Sequence, residues 1–98
     1  MSEKINYYIS AIRRSSDRRI SHLKVHKSED FNNPSTWTTA MVVQYIEAGY
    51  VFYTTYVGND GKYITGAKVE IFIMNGQKYL RTNRDRTAKD NLENLPEF

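Results

Sequence analysis

The sequence predicts an α+β domain: one small antiparallel sheet of about five strands in the order ββαβββ, packed with one main helix and an ordered C-terminal tail. Three observations carry this. Segments alternating β-branched and aromatic residues with polar ones flank a single stretch of period-3.6 apolar spacing. The pair Asn75-Gly76 lies between two strand-like segments, a strong short-range hairpin signal. The chain of 98 residues is 40% hydrophobic and 26% charged, a globular composition at a length for one domain rather than two, so residues 1–98 read as a single unit.

Residues 5–13 predict the first strand, with Ile5, Tyr7, Ile9 and Ala11 on one face and Asn6, Tyr8, Ser10 and Ile12 on the other. Ser15, Ser16 and Asp17 form a polar turn. Residues 20–27 predict a second strand with Leu23 and Val25 on one face, which completes a hairpin with an arginine-rich tip. Residues 28–36 read as a loop, because Pro34 holds Asn33 away from helical geometry. A helix of roughly ten residues follows. Thr36 or Thr38 is placed to cap it, and Trp37, Met41, Val42, Tyr45 and Ile46 give it an apolar face. Gly49 suits the left-handed position beyond its end.

Residues 51–57 predict the third strand, Gly58-Asn59-Asp60-Gly61 a turn, and residues 68–74 and 77–82 the last two strands. Both residues of a two-residue type I′ turn need positive φ, which Asn75 and Gly76 tolerate. That turn sets Met74 opposite Gln77, Phe72 opposite Tyr79, Ile71 opposite Leu80 and Glu70 opposite Arg81. Val69, Ile71, Ile73 and Leu80 then share the core face. Phe72 and Tyr79 share the outer one with Glu70 and Arg81, an aromatic pair beside an ion pair.

Absences narrow the chemistry. The chain has no cysteine, which excludes disulfides, thiolate nucleophiles and cysteine-ligated zinc. The N-terminus has no apolar signal core, and no apolar run approaches the roughly 18 residues of a membrane span. A cytoplasmic protein without a membrane partner is expected. No phosphate loop, dinucleotide fingerprint or nucleophile elbow is present, so neither enzymatic activity nor a cofactor is expected. His22 and His26, four residues apart on a strand, would stand roughly 13 Å apart, too far to share a metal, and no metal site is expected.

The segment 76–96 carries Gly76, the run Tyr79-Leu80-Arg81-Thr82, then Asp85, Asp90-Asn91-Leu92 and Leu95-Pro96. This resembles the closing motif of a bacterial family known as domain of unknown function 3892. Looser matches lie upstream at Tyr8-Ile9, Trp37, Ile46 and Gly49. The resemblance implies no established activity. It implies that the tail is a structured part of the fold.

Candidate sites follow from charge and aromatic content. Net charge is +3, from 14 basic and 11 acidic residues, which permits anionic partners without demanding them. Arg81, Arg84, Asp85, Asp90 and Asn91 are the candidate ligand-binding residues, since an arginine fork suits phosphate or carboxylate and Asp and Asn can read a ribose or base edge. The competing reading is a structural clasp. There Arg81 pairs with Glu70, the aspartates cap turns, and Leu92 and Leu95 staple the tail to the core. Phe72 and Tyr79 are the candidate interface residues. The function expected is a small non-catalytic binding module for an anionic ligand such as a nucleotide. The alternatives are a protein-interaction or inhibitor domain, homo-oligomeric or bound to a host protein as in phage and mobile elements, and nucleic-acid binding through Arg13, Arg14, Arg18 and Arg19.

Overall fold

The structure is a computed structural model that describes residues 4–16, 19–82, 92 and 95–98. The elements are β1 (Tyr7–Arg14), β2 (Ile20–Lys27), β3 (Asp30–Thr38), α1 (Thr39–Glu47), β4 (Phe52–Val57), β5 (Tyr63–Met74) and β6 (Gln77–Thr82). The strands form one sheet in the order β3-β2-β1-β4-β5-β6. The α+β class holds, but five antiparallel strands in ββαβββ order do not. Among the described residues the sheet has six strands and is mixed.

The additional strand is β3, which replaces most of the expected loop at 28–36. It lies at the edge of the sheet and is exposed along Asn32 to Thr36. An edge strand needs no apolar face and tolerates proline on its unpaired side, so Pro34 does not exclude a strand here. The parallel pair has a topological cause. β2 is antiparallel to both β1 and β3, which makes β3 parallel to β1. Helix α1 then carries the chain past β2 and β1 and lays β4 parallel to β1, Tyr7 facing Phe52 and Ile9 facing Thr54. A hairpin turn cannot make that connection, but a helical crossover can.

Strict alternation fails once inside β1. Ile9 faces Val25 and Ala11 faces Lys24, so Ser10 is an extra residue with no partner in β2. This bulge shifts the phase of the strand. Ile12, expected on the face opposite Ile9, instead joins Ile9 in the core, and both are fully buried. β5 begins five residues earlier than expected, and Gly66 interrupts the pattern that would have revealed it. Its first half pairs with β4 and its second with β6.

Thr38, one of the two threonines expected to cap α1, accepts a hydrogen bond from the Met41 N–H at 3.2 Å. Trp37 lies in β3 rather than in the helix, and Met41 is exposed, while Val42 and Val43 are buried. Gly49 has φ of 103°. The β5–β6 register is the one the Asn75-Gly76 turn dictates, with φ of 54° and 77° at the two turn residues. The apolar face of this hairpin leaves the core beyond Ile71, however: Ile73 is 66% exposed.

The core gathers Ile9, Ile12, Leu23, Val25, Val42, Phe52, Val69 and Leu80 with the tail residues Leu92 and Leu95. β1 explains how the tail is held. Its first half pairs with β4. At Ile12 the tail takes that place, with Ile12 N–H donating to Pro96 O at 2.9 Å and Phe98 N–H donating to Ile12 O at 3.0 Å. Leu92 N–H also donates to Thr82 Oγ1 at 3.2 Å. The described tail residues are therefore packed into the fold.

Two packing details bear on stability. Tyr7 is an aromatic hub, stacked on Phe52 at 4.8 Å and tilted against Trp37 at 5.0 Å. Burial, helped by Tyr45, Tyr50 and Glu29, pushes its phenol above the ordinary tyrosine range. Thr54 is fully buried where the β4–β5 register shifts. Its hydroxyl accepts from Ala67 N–H at 2.9 Å and lies 3.4 Å from Ala67 O as a donor, replacing a ladder pair that the irregularity breaks. Thr54→Val is expected to cost about 1–3 kcal/mol, because it leaves a buried N–H unsatisfied. Thr54→Ser should retain most of the stability in urea titration.

Candidate functional site

An open groove of about 680 Å³ lies between α1, the start of β2 and the β5–β6 hairpin. It forms because β6 is the edge strand of the sheet and α1 packs against it and against β2. Ile20, Val43 and Leu80 give it an apolar floor, and Phe72 and Tyr79 an aromatic side. Arg14, Arg19 and Lys78 set three cations against one carboxylate, Glu47. Lys78 Nζ and Glu47 Oε2 are 2.5 Å apart, so this ion pair bridges hairpin and helix across the groove. Arg19 Nη1 donates to Gln77 Oε1 at 3.2 Å, and its guanidinium lies 5.5 Å above the Tyr79 ring. Arg14 is anchored from the tail, its Nε 4.0 Å from Glu97 Oε2.

Alternation along β1 divides the arginine-rich tip. Arg14 lines the groove, whereas Arg13 donates from Nε to Phe98 O at 2.9 Å and stacks over the Phe98 ring. Of the residues the sequence nominated for binding, Arg81 is exposed on β6 opposite Glu70, with its guanidinium 5.4 Å above Phe72. Arg84, Asp85, Asp90 and Asn91 lie outside the described residues, as does Arg18. Phe72 and Tyr79 stack at 5.3 Å with 27° between their planes. Arg19 and Arg81 cover the two rings, so this face is an aromatic pair under guanidinium groups rather than a bare apolar patch.

Sequence reasoning missed the groove because Arg19 and Tyr79 are 60 positions apart and meet only through the tertiary fold. The two histidines also separate. His22 Nδ1 lies 3.0 Å from Ser21 Oγ, while His26 is buried against Ser10 and Phe31. Among the described residues, no three side chains of the His, Cys, Asp or Glu types gather as metal ligands, and no helix is long and apolar enough to cross a membrane.

These features define a small α+β domain built on a mixed, tail-closed sheet with a cationic, aromatic groove beside its single described helix. The chain belongs to the family described as protein of unknown function DUF3892, whose model matches residues 8–96. No curated protein and no solved structure gives a significant match.

Proposed function

We propose that the protein is a binding module for a small anionic ligand with an aromatic or apolar part, such as a nucleotide, seated in the groove between α1 and the β5–β6 hairpin. The observation that carries this reading is the pairing of Arg14 and Arg19 with an apolar floor and the Tyr79 ring in one cavity of about 680 Å³. That volume is within the usual range for small-molecule sites. A guanidinium presents five donors in a planar fork matched to phosphate or carboxylate, and an aromatic ring offers a base a stacking surface. The anionic-ligand expectation is kept, but its principal arginines become Arg14 and Arg19, with Arg81 one ring away over Phe72.

The test is calorimetry and thermal shift with a panel of mono-, di- and cyclic nucleotides. At least one is expected to raise the melting temperature of the wild-type protein. Hydrogen bonds to charged groups contribute roughly 1.5–3 kcal/mol. Arg14→Ala or Arg19→Ala should therefore weaken that ligand by about ten-fold or more while leaving the ligand-free melting temperature near wild type. No shift across the panel would sink the reading.

A further inference from the structure

A second constellation lies on the sheet face away from α1. Ser10 Oγ is 2.6 Å from His26 Nε2, and His26 Nδ1 is 2.7 Å from the main-chain oxygen of Phe31. A carbonyl oxygen only accepts, so Nδ1 carries the proton. In the neutral ring Nε2 is then the acceptor for the Ser10 hydroxyl. This is a nucleophile hydrogen-bonded to a base whose orientation is fixed by a third group, here a main-chain carbonyl where serine hydrolases commonly use a carboxylate.

Three further observations separate this cluster from a buried histidine that has merely found partners. Ser10 is the bulged residue of β1, and a bulge re-aims a side chain out of the regular ladder. His26 is 4% exposed and its ring is stacked on Phe31 at 4.4 Å, so packing holds it in place. A cavity of about 220 Å³ adjoins the pair and is lined by Ser10, His26, Phe31, Tyr63 and Lys24. Its size suits a short acyl group.

We propose that Ser10 is an acylable serine activated by His26, accepting a short acyl group from a small carboxylic ester. Ser10 Oγ bonds to the ester carbonyl carbon as its proton passes to His26 Nε2. The Phe31 carbonyl holds the Nδ1–H of the resulting imidazolium. The ester C–O bond breaks, and the departing alcohol leaves with the proton from Nε2. Water then attacks the acyl-serine with His26 as base, releasing the carboxylic acid and restoring Ser10.

The experiment treats the full chain with p-nitrophenyl acetate and with an organofluorophosphonate, and maps the adducts by mass spectrometry. Both reagents are expected to label Ser10. His26→Gln should slow labelling by about 100-fold or more, the usual range for general-base assistance. Ser10→Ala should abolish the adduct while retaining the wild-type circular dichroism spectrum. Ser10→Cys leaves His26 in place, and its thiol should react with iodoacetamide faster than a free cysteine. Adducts confined to lysine or tyrosine, no adduct at all, or a Ser10→Cys thiol no more reactive than free cysteine would each overturn the assignment.

Discussion

Leu92→Ala is expected to destabilise the protein by about 2–5 kcal/mol, the range for truncating a fully buried leucine. Leu92 is 1% exposed and belongs to the same cluster as Ile9, Ile12 and Phe52. Its N–H is held by Thr82 Oγ1, and the tail beyond it bonds to both sides of Ile12. A merely appended tail would lose only the few tenths of a kcal/mol typical of surface substitutions. Domains of this kind are stable by roughly 5–15 kcal/mol in total, so the two outcomes separate cleanly in a urea titration. The midpoint should fall with little change in slope if the tail is part of one cooperative unit. A midpoint within error of wild type would contradict the clasp.

The same residues mark what a sequence can and cannot reveal about this fold. The β5–β6 register was legible because Asn75-Gly76 permits one tight turn and the pairing follows from it. The tail's role was legible from the spacing of Leu92 and Leu95 together with a family resemblance. β3 was not legible, since a polar edge strand containing Pro34 has the composition of a loop. The parallel pairing of β1 with β4 was not legible either, because local patterns carry no information about which strand a helical crossover reaches. The site was the least legible part. Arg14 and Arg19 were visible as charge, but their meeting with Phe72, Tyr79 and Leu80 depends on long-range packing of the β1–β2 end against the β5–β6 hairpin. Likewise Ser10 and His26 show no motif spacing. A bulge and the β1–β2 register bring them together.

Phe52→Ala is the second large effect, expected at about 3–5 kcal/mol. Phe52 is fully buried, stacks on Tyr7 with 23° between the rings and meets Trp37 edge-on at 5.9 Å. Such aromatic pairs contribute about 0.5–1.5 kcal/mol each beyond the area they bury, so the cost should fall toward the upper end of the range. Phe52 also faces Tyr7 in the parallel ladder that joins β1 to β4. Through β4 and β5 that ladder supports the hairpin forming one wall of the groove. Trp37 is the only tryptophan in the chain, so its fluorescence reports on this cluster directly in denaturant. Phe52→Leu retains most of the volume and should recover the larger part of the loss. If Phe52→Ala unfolds at the wild-type urea midpoint, the aromatic hub is not the centre of the core. If it unfolds early but Phe52→Leu does not, packing around Tyr7 is what holds the groove wall in place.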